Sequence, residues 1–111
     1  MIMELFGLID SVNPDIIVVE EMVVVRNASV ARHLTMILGA IYGKCLENHM
    51  SYDALRPTEW RKLIDPGKKP RKREELKEWS RMKVRDLFGI NVNDDESDAI
   101  LIGQAYINLW S

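Results

Sequence analysis

Four acids in five residues, Asp94-Asp95-Glu96-Ser97-Asp98, follow Asn93 near the end of the chain. Beyond them Ala99, Ile102, Tyr106 and Leu109 recur at three- and four-residue spacing, which predicts a helix with one buried stripe. At about 100° per residue, Asp95 falls on the centre line of that stripe and Asp98 within roughly 60° of it. Asp94 and Glu96 fall to either side, towards water. Carboxylates on a core-facing side cost free energy unless a cation or hydrogen-bond donors meet them, and a divalent metal ion is one such partner. Helix capping is the other reading. Asn93 with Glu96 three residues on has the pattern of a capping box, and acids suit the positive end of a helix dipole. Capping accounts for Asn93, Asp94 and Glu96 but leaves Asp98, a turn further in, without a reason.

A second acidic position stands at the end of an apolar run. Ile16-Ile17-Val18-Val19 reads as a strand apolar on both faces, as in the interior of a parallel sheet covered by helices. Glu20 and Glu21 interrupt it before Met22-Val23-Val24-Val25. Open α/β sheets place ligand chemistry at the carboxyl ends of such strands. The alternative is that both glutamates face solvent where the strand leaves the core.

Charge of the other sign is concentrated between Pro66 and Arg85, which hold nine of the fifteen Lys and Arg residues against three acids, although the formal net charge is -2. Its densest part is Lys68-Lys69-Pro70-Arg71-Lys72-Arg73. Five like charges in six residues repel one another unless an anion neutralises them, and a nucleic-acid backbone does so with salt-sensitive affinity. A solvated, solubilising face is the plainer reading. One cysteine, Cys45, excludes an intramolecular disulfide, and no Cys/His cluster has zinc spacing. The start of the chain lacks the basic residues of a signal peptide, and no apolar run reaches the ~20 residues of a membrane helix. A cytoplasmic protein with no membrane association is expected.

The elements that must position these groups can be read in order. With 111 residues the chain is expected to form a single domain, 1–111. Leu5, Leu8, Ile9 and Val12 predict a helix from Met1 to Val12, ended by Asn13-Pro14-Asp15. Ala28 to Asn48 is a long helix with Val30, Leu34, Ile37, Leu38, Ile41 and Cys45 as its apolar stripe. Gly39 and Gly43 lie opposite, where their helix-propensity cost suggests close approach by another helix, from this chain or from a second copy in a homodimer. His33 and His49 are solitary and read as structural or surface residues. Ser51 to Leu55 is a short strand. Arg56-Pro57-Thr58 turns into a brief helix, Glu59 to Ile64, whose Trp60 packs locally or stacks on a base. After Asp65-Pro66-Gly67 and the basic run, a helix from Glu74 to Phe88 buries Leu76, Val84, Leu87 and Phe88, with Trp79 at the flank and Gly89 as C-cap.

In its order of elements and in three short motifs the chain resembles the RuvC-like Holliday junction resolvases of the ribonuclease H-like superfamily, especially the short versions from phages and low-GC bacteria. The motifs are Val18-Val19-Glu20-Glu21-Met22-Val23 with Arg26-Asn27-Ala28, Arg56 to Leu63 with Pro57 and Trp60-Arg61-Lys62, and Asp94-Asp95-Glu96-Ser97-Asp98-Ala99-Ile100. The resemblance implies an α/β, ribonuclease H-like fold, here partial: two parallel strands with flanking helices, the N-terminal β-hairpin and first catalytic strand absent. It implies a metal-dependent endonuclease resolving branched DNA, with Glu20, Asp95 and Asp98 catalytic and holding Mg²⁺ or Mn²⁺. In a two-metal mechanism one ion generates the attacking hydroxide and the other stabilises the leaving oxygen, so hard oxygen ligands must converge from separate elements. Arg26, Lys68, Lys69, Arg71, Lys72 and Arg73 are the expected nucleic-acid contacts. Two departures stand out. Val23 occupies the position of an aromatic that in some relatives wedges into the junction, and the family's first aspartate has no counterpart. The strand Ile16–Val25 would then carry an open apolar edge, expected to pair with another subunit or to aggregate. Cleavage activity is therefore expected to be impaired or absent in this fragment alone. A non-catalytic nucleic-acid-binding or assembly module of the same fold is the alternative, and a plain structural α/β domain a third.

Overall fold

Proline, glycine and asparagine set the element boundaries almost where the sequence suggests. The computed structural model describes residues 2–21 and 27–111. They form α1 (Ile2–Val12), β1 (Ile16–Glu20), α2 (Ala28–Glu47), β2 (Ser51–Leu55), α3 (Pro57–Ile64), α4 (Arg73–Phe88) and α5 (Asp94–Leu109). The elements group into two compact units, Met1–Ala54 and Leu55–Ser111. The expected continuation of the first strand through Met22–Val25, and with it Val23 and Arg26, lies outside the described residues. Among the described residues no helix is long and apolar enough to cross a membrane.

In the first unit α1 stops at Asn13, whose N–H donates to the Ile9 carbonyl (2.8 Å) while its backbone turns left-handed, with φ 50°. Asparagine tolerates that conformation and Pro14 prevents the helix from continuing. The buried side of α1 differs from the expected stripe. Ile9 is buried and Leu5 and Phe6 are half-buried, but Leu8 and Val12 are exposed. The face centres on Ile9, about 100° away from Leu8. Asp10, one position further, reaches α2 instead. It pairs with Lys44 (2.9 Å) and accepts from Asn48 Nδ2 (3.3 Å), and the Lys44 ammonium also lies 5.5 Å from the centre of the Phe6 ring.

β1 and β2 lie side by side in parallel, and the Ser51 N–H donates to the Asp15 carbonyl (3.1 Å), so the two strands start level. Ile16 to Val19 are each half-buried, not enclosed as an interior strand would be. Among the described residues the sheet has these two strands alone, so β1 has no third strand on its other edge.

The Asn27 carboxamide oxygen caps α2 by accepting from the N–H groups of Ser29 (2.9 Å) and Val30 (3.2 Å). At the far end Asn48 is the C-cap and His49 takes the left-handed conformation, φ 57°. The Met50 N–H then donates to the Cys45 carbonyl (2.8 Å) and the His49 N–H to that of Leu46 (3.4 Å), the paired bonds of a Schellman motif. The solitary histidine at 49 is thus a helix stop. Only the C-terminal half of the predicted α2 stripe is enclosed: Ile41 and Cys45 are buried, Ile37 and Leu38 half-buried, Val30 and Leu34 exposed. A Cβ added at Gly39 or Gly43 would meet nothing within 4 Å, so none of the described residues makes the close approach expected there from within this chain.

In the second unit Pro57 takes the first position of α3, which starts two residues ahead of the expected Glu59. Proline there has a suitable φ and no N–H to leave unmet. Glu59 folds back to accept from the Arg56 N–H (3.1 Å). Trp60 is fully buried, so it packs into the core and offers no face for stacking on a base. Helices α3 and α4 both pack on α5, around Trp60, Val84, Leu101, Ile102 and Ala105. Truncating Trp60 in such a core costs about 3–5 kcal/mol. At its other end α3 is tied to α5 by Asn108 Nδ2, which donates to the Leu63 carbonyl (3.1 Å). On α4, Val84 is buried and Leu76 half-buried as expected, but Leu87 and Phe88 are exposed, and the helix buries Ser80 instead. Gly89, φ 69°, ends α4 with its N–H on the Arg85 carbonyl (2.8 Å), as predicted.

Candidate functional site

The acidic start of α5 is capped as its sequence suggests. Glu96 N–H donates to Asn93 Oδ1 (2.8 Å) and the Asn93 N–H to Glu96 Oε1 (3.1 Å), a complete capping box. Ser97, fully buried, returns its hydroxyl to the Asn93 carbonyl (2.8 Å), so its polar group is satisfied inside the core. The buried stripe runs through Ser97, Leu101, Ile102 and Ala105, about one residue out of register with the expected line through Ala99, Ile102, Tyr106 and Leu109. Ala99 and Leu109 are exposed.

That shift reassigns the acids. Asp95, expected on the core-facing centre line, is exposed; Asp98 is half-buried on the edge of the stripe, as expected. Asp94, expected to face water, is half-buried and engaged: Arg81 of α4 donates to its carboxylate and Lys77 stands 3.8 Å away. Sequence reading missed these partners. Lys77 and Arg81 lie at i and i+4 on the side of α4 that carries Ser80 and Val84, a face on which two cations predict an acid opposite.

Each acid therefore has a distinct place. Glu96 caps the helix and Asp94 docks it, while among the described residues neither Asp95 nor Asp98 takes a hydrogen bond or an ion pair. At i and i+3 these two carboxylates are neighbours on α5, Asp95 in its first turn, at the positive end of the dipole, and Asp98 one turn further in. Glu20 is the exposed last residue of β1, in the other unit. Among the described residues no three or more His, Cys, Asp or Glu side chains gather as metal ligands. The Asp95–Asp98 pair does suit a hydrated Mg²⁺, which takes one or two carboxylates and fills its octahedron with water and substrate phosphate.

The basic run is partly tied down. Asp65 Oδ1 accepts from the Gly67 N–H (2.9 Å) and its other oxygen pairs with Lys83 (3.0 Å), which joins the loop to α4. The Gly67 N–H and the Lys83 ammonium hold the Asp65 carboxyl below the usual carboxylate range. Lys69 folds back and donates to the carbonyls of Asp65 and Gly67 (2.6 Å each). Five charges in the run are thus not all left for an anion. Lys68, Arg71, Lys72 and Arg73 are exposed. Arg26 lies outside the described residues.

No family model and no curated protein sequence matches the chain. Solved structures do. The chain is similar to T. thermophilus RuvC in complex with a Holliday junction substrate, with a TM-score of 0.76 and 17% identity over 96% of this chain and 63% of that one. A second Thermus thermophilus RuvC structure matches with a TM-score of 0.73 and 19% identity, over the same shares of the two chains. The fold is therefore that of RuvC, the ribonuclease H-like α/β fold that the motifs imply, and the chain spans 63% of the length of these RuvC chains.

Proposed function

We propose that residues 1–111 belong to a single nuclease domain of the RuvC type, which acts on branched DNA with the help of Mg²⁺ or Mn²⁺. One observation carries the reading: of the four acids that open α5, capping and docking use Glu96 and Asp94, and among the described residues Asp95 and Asp98 have no partner. The helix dipole favours an acid at Asp95, but it falls off within the first turn and does not account for Asp98, one turn further in. The RuvC fold supports the assignment, and Glu20, at the carboxyl end of β1, is the proposed third carboxylate. A divalent ion bound there would supply Lewis acidity towards a phosphodiester and lower the pKa of a bound water. The chain's own part is to hold that ion and to fix the backbone of the substrate. Lys68, Arg71, Lys72 and Arg73, with Arg26, are the proposed phosphate contacts. Val30 and Leu34, exposed one turn apart on the same side of α2, are the proposed contact of a homodimer. A cytoplasmic location is part of the same proposal.

Titration calorimetry with Mn²⁺ tests the site. The chain is expected to bind, Asp95→Asn and Asp98→Asn to lose binding, and Glu96→Gln to keep it. No heat from the native chain, or equal binding by Asp95→Asn, removes the metal site. Salt-sensitive affinity for a four-way junction without cleavage would leave a non-catalytic binding module.

A further inference from the structure

A pocket of about 360 Å³ opens in the second unit between α3, the loop after it and the start of α4. Its volume is at the lower end of the range for small-molecule sites, about 300–1,000 Å³. Thr58, Arg61 and Lys62 line one side, at i, i+3 and i+4 on a single face of α3. Pro66, Pro70 and Leu76 form an apolar wall, and Lys69 contributes its aliphatic stem because its ammonium is held on the Asp65 and Gly67 carbonyls. Those bonds, with the Asp65–Lys83 pair, make the wall a preformed surface. No acid lines the pocket.

Arg61 is the best-oriented cation of the pocket. Its guanidinium carbon lies 5.0 Å from the centre of the Trp60 ring, a partner that orients the group without neutralising it. Its Nε is buried and makes no hydrogen bond among the described residues. A buried donor left unmet costs about 1–3 kcal/mol, more on a charged group. Lys62 beside it is exposed, and the Thr58 hydroxyl adds a donor on the same face.

Two cations, a hydroxyl and an apolar wall, with no counter-charge, match one class of ligand: an anion joined to a flat or apolar body. We propose that this pocket binds a nucleoside phosphate, with the phosphate on Arg61, Lys62 and Thr58 and the sugar or base against Pro66, Pro70 and Leu76. It rests on the nuclease reading only as to source, a nucleotide of a DNA strand unstacked at a branch. The pocket then works beside the exposed cations of the basic run, gripping one nucleotide where they attract the backbone at large.

The test is NMR on the intact chain, following the Arg61 Nε–H and Leu76 methyl signals during titration with 5′-phosphorylated thymidine dinucleotide, thymidine monophosphate and inorganic phosphate. The dinucleotide is expected to move both signals. Lys62→Gln, at an exposed position, is expected to weaken it about fivefold, and Arg61→Gln about tenfold or more. Should Arg61→Gln disturb the packing on Trp60, the Lys62 variant still decides. Tighter binding of the dinucleotide than of the mononucleotide assigns the pocket to a strand, and equal binding assigns it to free nucleotide. Inorganic phosphate binding as tightly as either overturns the proposal, as does a dinucleotide that shifts only Lys68 and Arg71 to Arg73. A pocket that responds in a chain without Mn²⁺ affinity refutes the nuclease reading alone, and a silent pocket in a chain that binds Mn²⁺ refutes the pocket alone.

Discussion

Arg81, in the middle of α4, donates to the carboxylate of Asp94, the first residue of α5, and so fixes where the acidic helix begins. Both side chains are more than a third exposed, so solvent weakens the pair. Asp94→Asn is expected to lower stability by about 1 kcal/mol in urea unfolding. A double-mutant cycle with Arg81→Gln should return a coupling of about 0.5–1 kcal/mol. Additivity of the two substitutions would show that the pair does not dock the helix.

The acids of α5 should separate into two groups in the same assay. Glu96→Ala and Asn93→Ala break the capping box and are expected to cost about 0.5–2 kcal/mol each while leaving Mn²⁺ affinity intact. Asp95→Asn and Asp98→Asn remove no structural bond, so stability should hold within about 0.5 kcal/mol while Mn²⁺ affinity falls. A large stability loss for Asp95→Asn with metal binding unchanged would reverse the two roles.

Junction affinity should fall with salt in proportion to the phosphates neutralised. Replacing Lys68, Arg71, Lys72 or Arg73 by Gln is expected to reduce the slope of log affinity against log salt by about 1 each. Lys69→Gln should behave differently, because its ammonium holds the Asp65 and Gly67 carbonyls. Its effect is expected mainly on loop order, seen as faster amide exchange at residues 66–70, with a smaller change in slope.

Asp10 and Asp65 both have carboxyls held below their usual range, Asp10 by its bond to Lys44 and Asp65 by the Gly67 N–H and Lys83. A depressed carboxyl stabilises the fold fully above its unfolded value, about 3.9, and loses that contribution as pH falls through the folded value. Asp65→Asn should therefore be less stable than the native chain near neutrality. The gap should narrow as pH falls below about 4, because the unfolded chain then takes up a proton at this carboxyl that the native chain resists. Denaturant midpoints measured across this range check it; a constant gap would mean that Lys83 gains nothing from the charge of Asp65.

His49 holds a left-handed backbone that costs a residue with a side chain about 1 kcal/mol. His49→Gly is expected to raise the stability of the first unit by about 0.5–1 kcal/mol, read as a higher urea midpoint. A drop would show that the imidazole has a role beyond the turn.

The elements were legible because their ends are written in local chemistry. Asn13-Pro14, Asn27, Pro57, Asn93 and Gly89 each act on the backbone within a few residues of themselves, as the structure shows. Which face each helix buries was less legible. Apolar spacing counts Leu8, Leu34, Leu87 and Leu109 as core, yet all four are exposed, and it passes over Ser80 and Ser97, which are buried. Ser97 can be buried because its hydroxyl is satisfied by its own helix, a bond that carries no hydrophobic signal. The docking of Asp94 depends on Arg81, thirteen residues away, so only the packing of α4 against α5 reveals it. Glu20, Asp95 and Asp98 were proposed from their motifs, and among the described residues Asp95 and Asp98 are the acids of α5 that have no partner.

Cys45 is the chain's one thiol, 1% exposed, and burial pushes its pKa up. A maleimide or disulfide reagent can reach that sulfur only when α2 loosens from its neighbours. Its rate of modification under native conditions is therefore a clock for opening of the first unit, with no engineered label, and the second unit, which has no thiol, adds no signal to it.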